Sequence, residues 1–202
     1  NFFIRGGGAI LELLFFLIIA NRLGLEKSSE YFVAYSVFIV MVAFARGGAD
    51  FKVVRDIPRA SNKGDLQQVR VVIIKSFFSV LAYSSAVTGL GVFLYMIGFF
   101  NHFIGVEAAE ILADLFWAII PVAMIYLCSE IFRGYEKIQL SQIIYGWVIL
   151  GPTLVWLFLR DKIEIEGLVE FYVTSSYFIM LIVILPIFRR IGSIKKIIFK
   201  PS

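Results

Sequence analysis

Charged side chains inside otherwise apolar stretches are where this sequence could do chemistry. Glu12 stands between Leu11 and the Leu13-Leu14 pair, Arg46 is followed by Gly47-Gly48-Ala49-Asp50, and Glu130 comes three residues before Arg133. A charge at the centre of a bilayer costs about 2.5–3.5 kcal/mol on insertion scales, so such residues face a cavity or a partner of opposite sign. A guanidinium is a planar fork of donors that suits bidentate binding of an oxyanion. Arg46 is therefore the leading candidate for an anion contact, and Glu12 and Asp50 could orient it or carry a cation. Arg46 and Asp50 are spaced i,i+4 and are expected to share one face of one helix. Glu12 and Arg46 are expected at similar depth, so a contact between them is open. Two readings stand together here: an anion-binding cation held in a cavity by carboxylates, or a structural ion pair that locks two helices. Glu130 and Arg133 rank lower, because long charged side chains near a helix end snorkel to the membrane surface.

Other reactive residue types offer less. His102 is the single histidine and is expected in a loop, without partners for catalysis or metal binding. Cys128, the single cysteine, lies in an apolar run and reads as a small packing residue. No nucleophile elbow, phosphate-cradling Walker loop, HExxH pair or glycine-rich dinucleotide turn is present. No metal and no cofactor is expected beyond a coupling cation. Gly151-Pro152 is a hinge candidate, since proline removes one helical hydrogen bond; a static kink reads equally well. Gly6-Gly7-Gly8 would let another helix approach closely.

The elements that must position these residues are long apolar runs. Six of them cover about 4–22, 31–49, 73–99, 112–132, 141–159 and 168–188. Each is near or above the length of about 20 residues that spans hydrocarbon as a helix. Strand-type alternation is absent. The connectors alternate in charge. Lys52, Arg55, Arg59, Lys63, Arg70 and Lys75 follow the second run, Arg133 and Lys137 the fourth, and Arg189, Arg190, Lys195, Lys196 and Lys200 the sixth. The intervening connectors are poor in Lys and Arg and carry Glu107, Glu110, Asp161, Glu164, Glu166 and Glu170. This alternation predicts both termini on the cytoplasmic side of a cell inner membrane. Asp50–Arg70 mixes charge with Phe51, Val53, Val54, Ile57 and Leu66, and is expected to continue the second run as an amphipathic interfacial helix over about 50–66. Residues 189–202 are expected to form a basic cytoplasmic tail.

Composition agrees with this frame. Of 202 residues, 60% are hydrophobic and 17% charged, against about 45–50% and 25% in soluble domains. That much apolar surface cannot be hidden in one water-soluble core of this size, whereas lipid-facing residues must themselves be apolar. The net charge of +4 sits between the apolar runs, where topology explains it better than nucleic acid does. The fold class expected is an all-α polytopic transmembrane bundle of about six spanning helices. The first run has no A-x-A-type cleavage site, so a removable signal peptide is not expected.

Three stretches carry a resemblance. Ile19-Ala20-Asn21-Arg22-Leu23-Gly24 with Glu30-Tyr31 closes the first run, although Asn21 stands where Ala or Leu is expected. Gly47-Gly48-Ala49-Asp50 leads to Val54-Arg55-Asp56-Ile57. Ile131-Phe132-Arg133-Gly134-Tyr135-Glu136-Lys137 precedes Gln139 and Gln142. In their order and spacing these resemble the polysaccharide (O-antigen-type) flippases of the multidrug/oligosaccharidyl-lipid/polysaccharide exporter superfamily. The resemblance implies one lobe of a MATE-like transporter fold that works by alternating access. It further implies a lipid-linked oligosaccharide as cargo, its polyprenyl diphosphate held by cavity arginines. Members carry two such lobes, so a missing C-terminal lobe is expected; Asn1 in place of Met and the basic end fit a fragment. Runner-up readings are a related drug/cation antiporter or lipid II-type flippase and, in another class, a membrane enzyme acting on polyprenyl-linked sugars.

Overall fold

The computed structural model describes residues 2–160 and 162–198, with side chains from Gly6 to Arg189 apart from Asp161. The described residues form nine α-helices and one π-helical turn, with no strand. They are α1 Phe2–Leu23, α2 Leu25–Ala45, α3 Ala49–Asn62, α4 Leu66–Met96, α5 Phe99–Ile104, α6 Val106–Gly134, α7 Ile138–Ile143, α8 Leu150–Leu159 and α9 Ile165–Ile198. The π-turn Ile144–Val148 joins α7 to α8. Six helical rods are long and apolar enough to cross a membrane: α1, α2, α4, α6, the α7–α8 rod, and α9 as far as Arg189. The chain is an all-α multi-pass membrane protein.

Helix α6 is the axis of the bundle, packed against α2, α3, α4 and α9. Its sequence suits that place. Ala108, Ala109, Ala118, Ala123, Cys128 and Gly134 are all buried, and small side chains let neighbouring backbones come close. Polar contacts pin it at intervals. Tyr177 donates to the Trp117 carbonyl at 3.0 Å, and Ser129 donates to the Ser141 carbonyl at 2.9 Å. Phenylalanine is frequent in the sequence, at 21 of 202 residues, and with tyrosine it forms a ring cluster at the α1–α2–α9 junction. Phe16 meets Phe32 edge-on at 5.2 Å, Phe15 meets Tyr31 at 6.3 Å, and Tyr172 meets Phe38 at 5.9 Å. These are the separations and tilts that ring quadrupoles favour.

Helix boundaries differ from the sequence expectation because polar turns were counted as loop. Helix α2 starts at Leu25, one residue after α1, so Glu26 and Lys27 are helical. Asp65 caps α4 by accepting from the Gln68 amide at 2.8 Å, which draws Arg70 and Lys75 into the helix. Glu107 and Glu110 belong to the first turns of α6, and Glu166 and Glu170 to α9; Asp161 lies outside the described residues. His102 stands on the short helix α5, exposed, its ring edge-on to Phe103. The tail expected from 189 continues α9 as far as Ile198, and 199–202 lie outside the described residues.

One expectation holds only in part: the amphipathic helix expected over about 50–66 is present as α3, but as a separate element. Helix α2 does not run on into it: α2 stops at Ala45, and Arg46-Gly47-Gly48 forms a turn before α3. Gly47 and Gly48 have φ of 54° and 73°, in the left-handed region that favours glycine. A Cβ on Gly47 would also meet the Tyr83 ring at 2.5 Å. Nor does α3 spend its main apolar face on lipid. Val53 and Ile57 are fully buried, and Gly134 of α6 lies so close that an added Cβ would stand 3.2 Å from both Ile57 Cβ and the Val53 carbonyl. The amphipathic pattern was read correctly, but its partner is protein.

Candidate functional site

A cavity of about 950 Å³ opens between α1, α2, α3, α6 and the α7–α8 rod. It lies at the end of the bundle where the Arg- and Lys-rich connectors gather. Each wall is one helical face. Helix α1 contributes Gly8, Ala9 and Glu12; α2 contributes Tyr35, Ile39, Ala43 and then Arg46. Helix α6 contributes Tyr126, Ser129, Glu130 and Arg133, and the α7–α8 rod contributes Ile138, Ser141, Gln142, Tyr145, Gly146 and Ile149. Steps of three and four residues keep each set on one side of its helix. Asp50, Phe51, Val54 and Arg55 of α3 close the mouth.

All five charged candidates, Glu12, Arg46, Asp50, Glu130 and Arg133, line this one cavity. The pairing inside it has a pattern. Arg46 Nη1 lies 3.0 Å from Asp50 Oδ2, with side-chain exposures of 23% and 14%. The pair does not share one helix; it bridges the Gly47-Gly48 turn, so it braces the angle between α2 and α3. Asp50 Oδ1 also accepts from the Phe51 amide at 3.1 Å. The Arg46 guanidinium lies 5.5 Å from the centre of the Tyr126 ring, within cation–π range, and its Nε is buried without a hydrogen-bond acceptor. Arg133 Nη1 pairs with Glu130 Oε2 at 3.2 Å, and Arg55 Nε with Asp56 Oδ1 at 2.8 Å. Glu12 has no ion pair with any described residue; the contact with Arg46 left open by the sequence is not made.

The hinge candidates take a different place. Gly151 and Pro152 lie inside the first turn of α8, where proline is tolerated. The irregular backbone comes earlier, in the π-turn Ile144–Val148. Val148 is four residues before Pro152, so the carbonyl that a Pro152 amide would have bonded in an α-helix is the last one of that turn. Single π-turns inside helices concentrate at functional sites, and this one supplies Tyr145 and Gly146 to the cavity wall. Gly8 of α1 packs against it: a Cβ on Gly146 would stand 3.2 Å from the Gly8 Cα, and one on Gly7 would collide with the Trp147 ring. Of the glycine run, Gly7 and Gly8 make the close approach, while Gly6 faces open space.

Sequence reasoning missed the aromatic lining. Tyr126 and Tyr145 have ring centres 4.8 Å apart, and Tyr35, largely buried, lines the same cavity. Tyr126 is four residues before Glu130, so the face carrying the charges already named it. Arg55, expected on the amphipathic helix and not named as a site residue, also lines the cavity. Asp114, an ionisable residue inside α6 that was passed over, is exposed and does not line this cavity. Among the described residues no group of three or more His, Cys, Asp or Glu could hold a metal ion, and Cys128 is a buried free thiol. Chemically, the cavity can hold a ligand that is part anionic and part polar, against guanidinium forks, one unpaired carboxylate and tyrosine faces. No protein-family model, no characterised protein and no solved structure matches the chain.

Proposed function

We propose that the chain is one lobe of a flippase that moves a lipid-linked oligosaccharide across the cytoplasmic membrane by alternating access, with both termini and the cavity mouth on the cytoplasmic side. The observation that carries this reading is the cavity itself. Its volume of about 950 Å³ falls at the top of the usual range for ligand sites. It sits among spanning helices, and three arginines reach it from the basic end. Arg46 is the phosphate contact: it is half-buried in the cavity wall and oriented by Asp50 and Tyr126, and its guanidinium can turn its fork of donors to an oxyanion. A diphosphate would share or displace the carboxylates now paired with the arginines. The residues quoted above for the flippase resemblance support the saccharide as cargo.

A specific observation favours a second reading. The charges lining the cavity balance, three arginines against three carboxylates, and the one left without an ion pair among the described residues is Glu12. A lone carboxylate in a membrane cavity suits a cation, as in a drug/cation antiporter. The two readings separate by mutation. Under the flippase reading Arg46→Ala abolishes glycan export while the protein stays in the membrane, Arg46→Lys restores little, because a point charge lacks the fork, and Glu12→Gln exports at a reduced rate. Full export in Arg46→Ala removes Arg46 from the mechanism. Loss of cation-driven drug efflux in Glu12→Gln with none in Arg46→Ala establishes the antiporter instead. Cysteines replacing Glu107 and Glu164 should react with an impermeant thiol reagent from outside and one replacing Lys63 should not; the reverse pattern inverts the orientation.

A further inference from the structure

Helix α3 carries a buried stripe and a basic stripe, and only the buried one packs against the bundle. Ala49, Val53, Ile57 and Ala60 are buried against the bundle. Lys52, Arg55, Arg59 and the capping Lys63 are all exposed. At 3.6 residues per turn these four fall within an arc of about 80° and extend over about 16 Å. Their one acidic neighbour on the helix face is Asp56, which is taken up by Arg55. Beside them Phe51 is 80% exposed, an unusual degree for a phenylalanine in water. The helix follows a spanning helix and precedes another, so it lies where hydrocarbon gives way to water.

We infer that this basic stripe is a docking strip for the headgroups of anionic phospholipids. Charge complementarity selects that partner. Four cations in a row at the membrane boundary face a leaflet whose anionic headgroups attract juxtamembrane Lys and Arg. Phe51, exposed at the mouth of the cavity, borders the strip. Arg55 belongs both to the stripe and to the cavity wall, so lipid bound along α3 borders the mouth of the cavity. The strip depends on the six-span fold and on charge alone, not on any cargo.

The test uses the intact purified protein and two lipids, phosphatidylglycerol and phosphatidylcholine, with native mass spectrometry counting the bound lipid as each is titrated. The wild type should prefer phosphatidylglycerol, and the preference should collapse between 0.05 M and 1 M salt as the screening length shrinks to about 3 Å. Each neutralised cation should weaken phosphatidylglycerol binding about fivefold. The Lys52→Gln, Arg59→Gln, Lys63→Gln variant should therefore lose roughly a hundredfold. A Lys27→Gln, Lys162→Gln variant, with charge removed from the opposite end, should keep the preference. A triple variant that retains the preference overturns the inference, as does an equal loss in the opposite-end variant. A wild type without preference or salt dependence overturns it without any variant. Inorganic phosphate that displaces phosphatidylglycerol at equal charge concentration would show a free-phosphate site instead.

Discussion

Helices α1 and α6 are both apolar enough to span a membrane, yet 72% of the most apolar stretch of α6 is buried in protein, against 11% for α1. Hydropathy reports how each would partition from water and says little about which neighbours it meets, because lipid and protein interior are equally apolar. Side-chain size separates the two. Buried alanines, Cys128 and Gly134 line α6 on several sides, whereas much of α1 presents Ile10, Leu13, Leu14 and Leu17 outward. The cavity therefore has one wall that belongs to the packed axis and another held by a glycine contact and a few rings. A sparsely held element opens at low free-energy cost, which under the proposed function makes α1 the wall that moves.

Substitutions can break or sharpen that contrast. The largest effect is expected from Gly91→Leu in α4, where even a Cβ would meet Met41 Cε at 2.8 Å and the Phe116 ring at 3.0 Å. Overpacking the axis should cost about 3 kcal/mol, read as a lower unfolding midpoint in a denaturing-detergent titration. Gly8→Leu should cost less, about 1 kcal/mol, because α1 can move off Gly146 whereas α4 cannot leave α6. It should also raise the reactivity of a cysteine at position 141 inside the cavity. Leu13→Ala, at a site 60% exposed, should change stability by no more than about 0.5 kcal/mol. A Gly8→Leu variant as damaged as Gly91→Leu would mean that α1 is part of the axis after all.

Much of the candidate site was legible because intramembrane charge is costly. Glu12, Arg46, Asp50, Glu130 and Arg133 stand out in any apolar window, and they do meet in one cavity. Their pairing was not legible. The i,i+4 spacing of Arg46 and Asp50 suggested one continuous helix, yet the contact forms across a turn that two positive-φ glycines create. The tyrosine lining was hidden for the opposite reason: an aromatic residue in an apolar run carries no cost that would mark it. The irregular backbone was sought at Pro152 and lies four to eight residues earlier, since the amide that proline lacks leaves its gap one turn back.

The sequence by itself determined that six rods cross a membrane and which connectors are basic. Transfer free energy and charge act residue by residue, so both can be summed along the chain. Only the tertiary structure decided that α6 is the axis, that α3 turns its apolar face to protein, and that Glu12 alone among the cavity charges has no ion pair with a described residue. Those outcomes depend on which surfaces fit together at separations of a few ångströms, and steric fit between distant segments has no local signature.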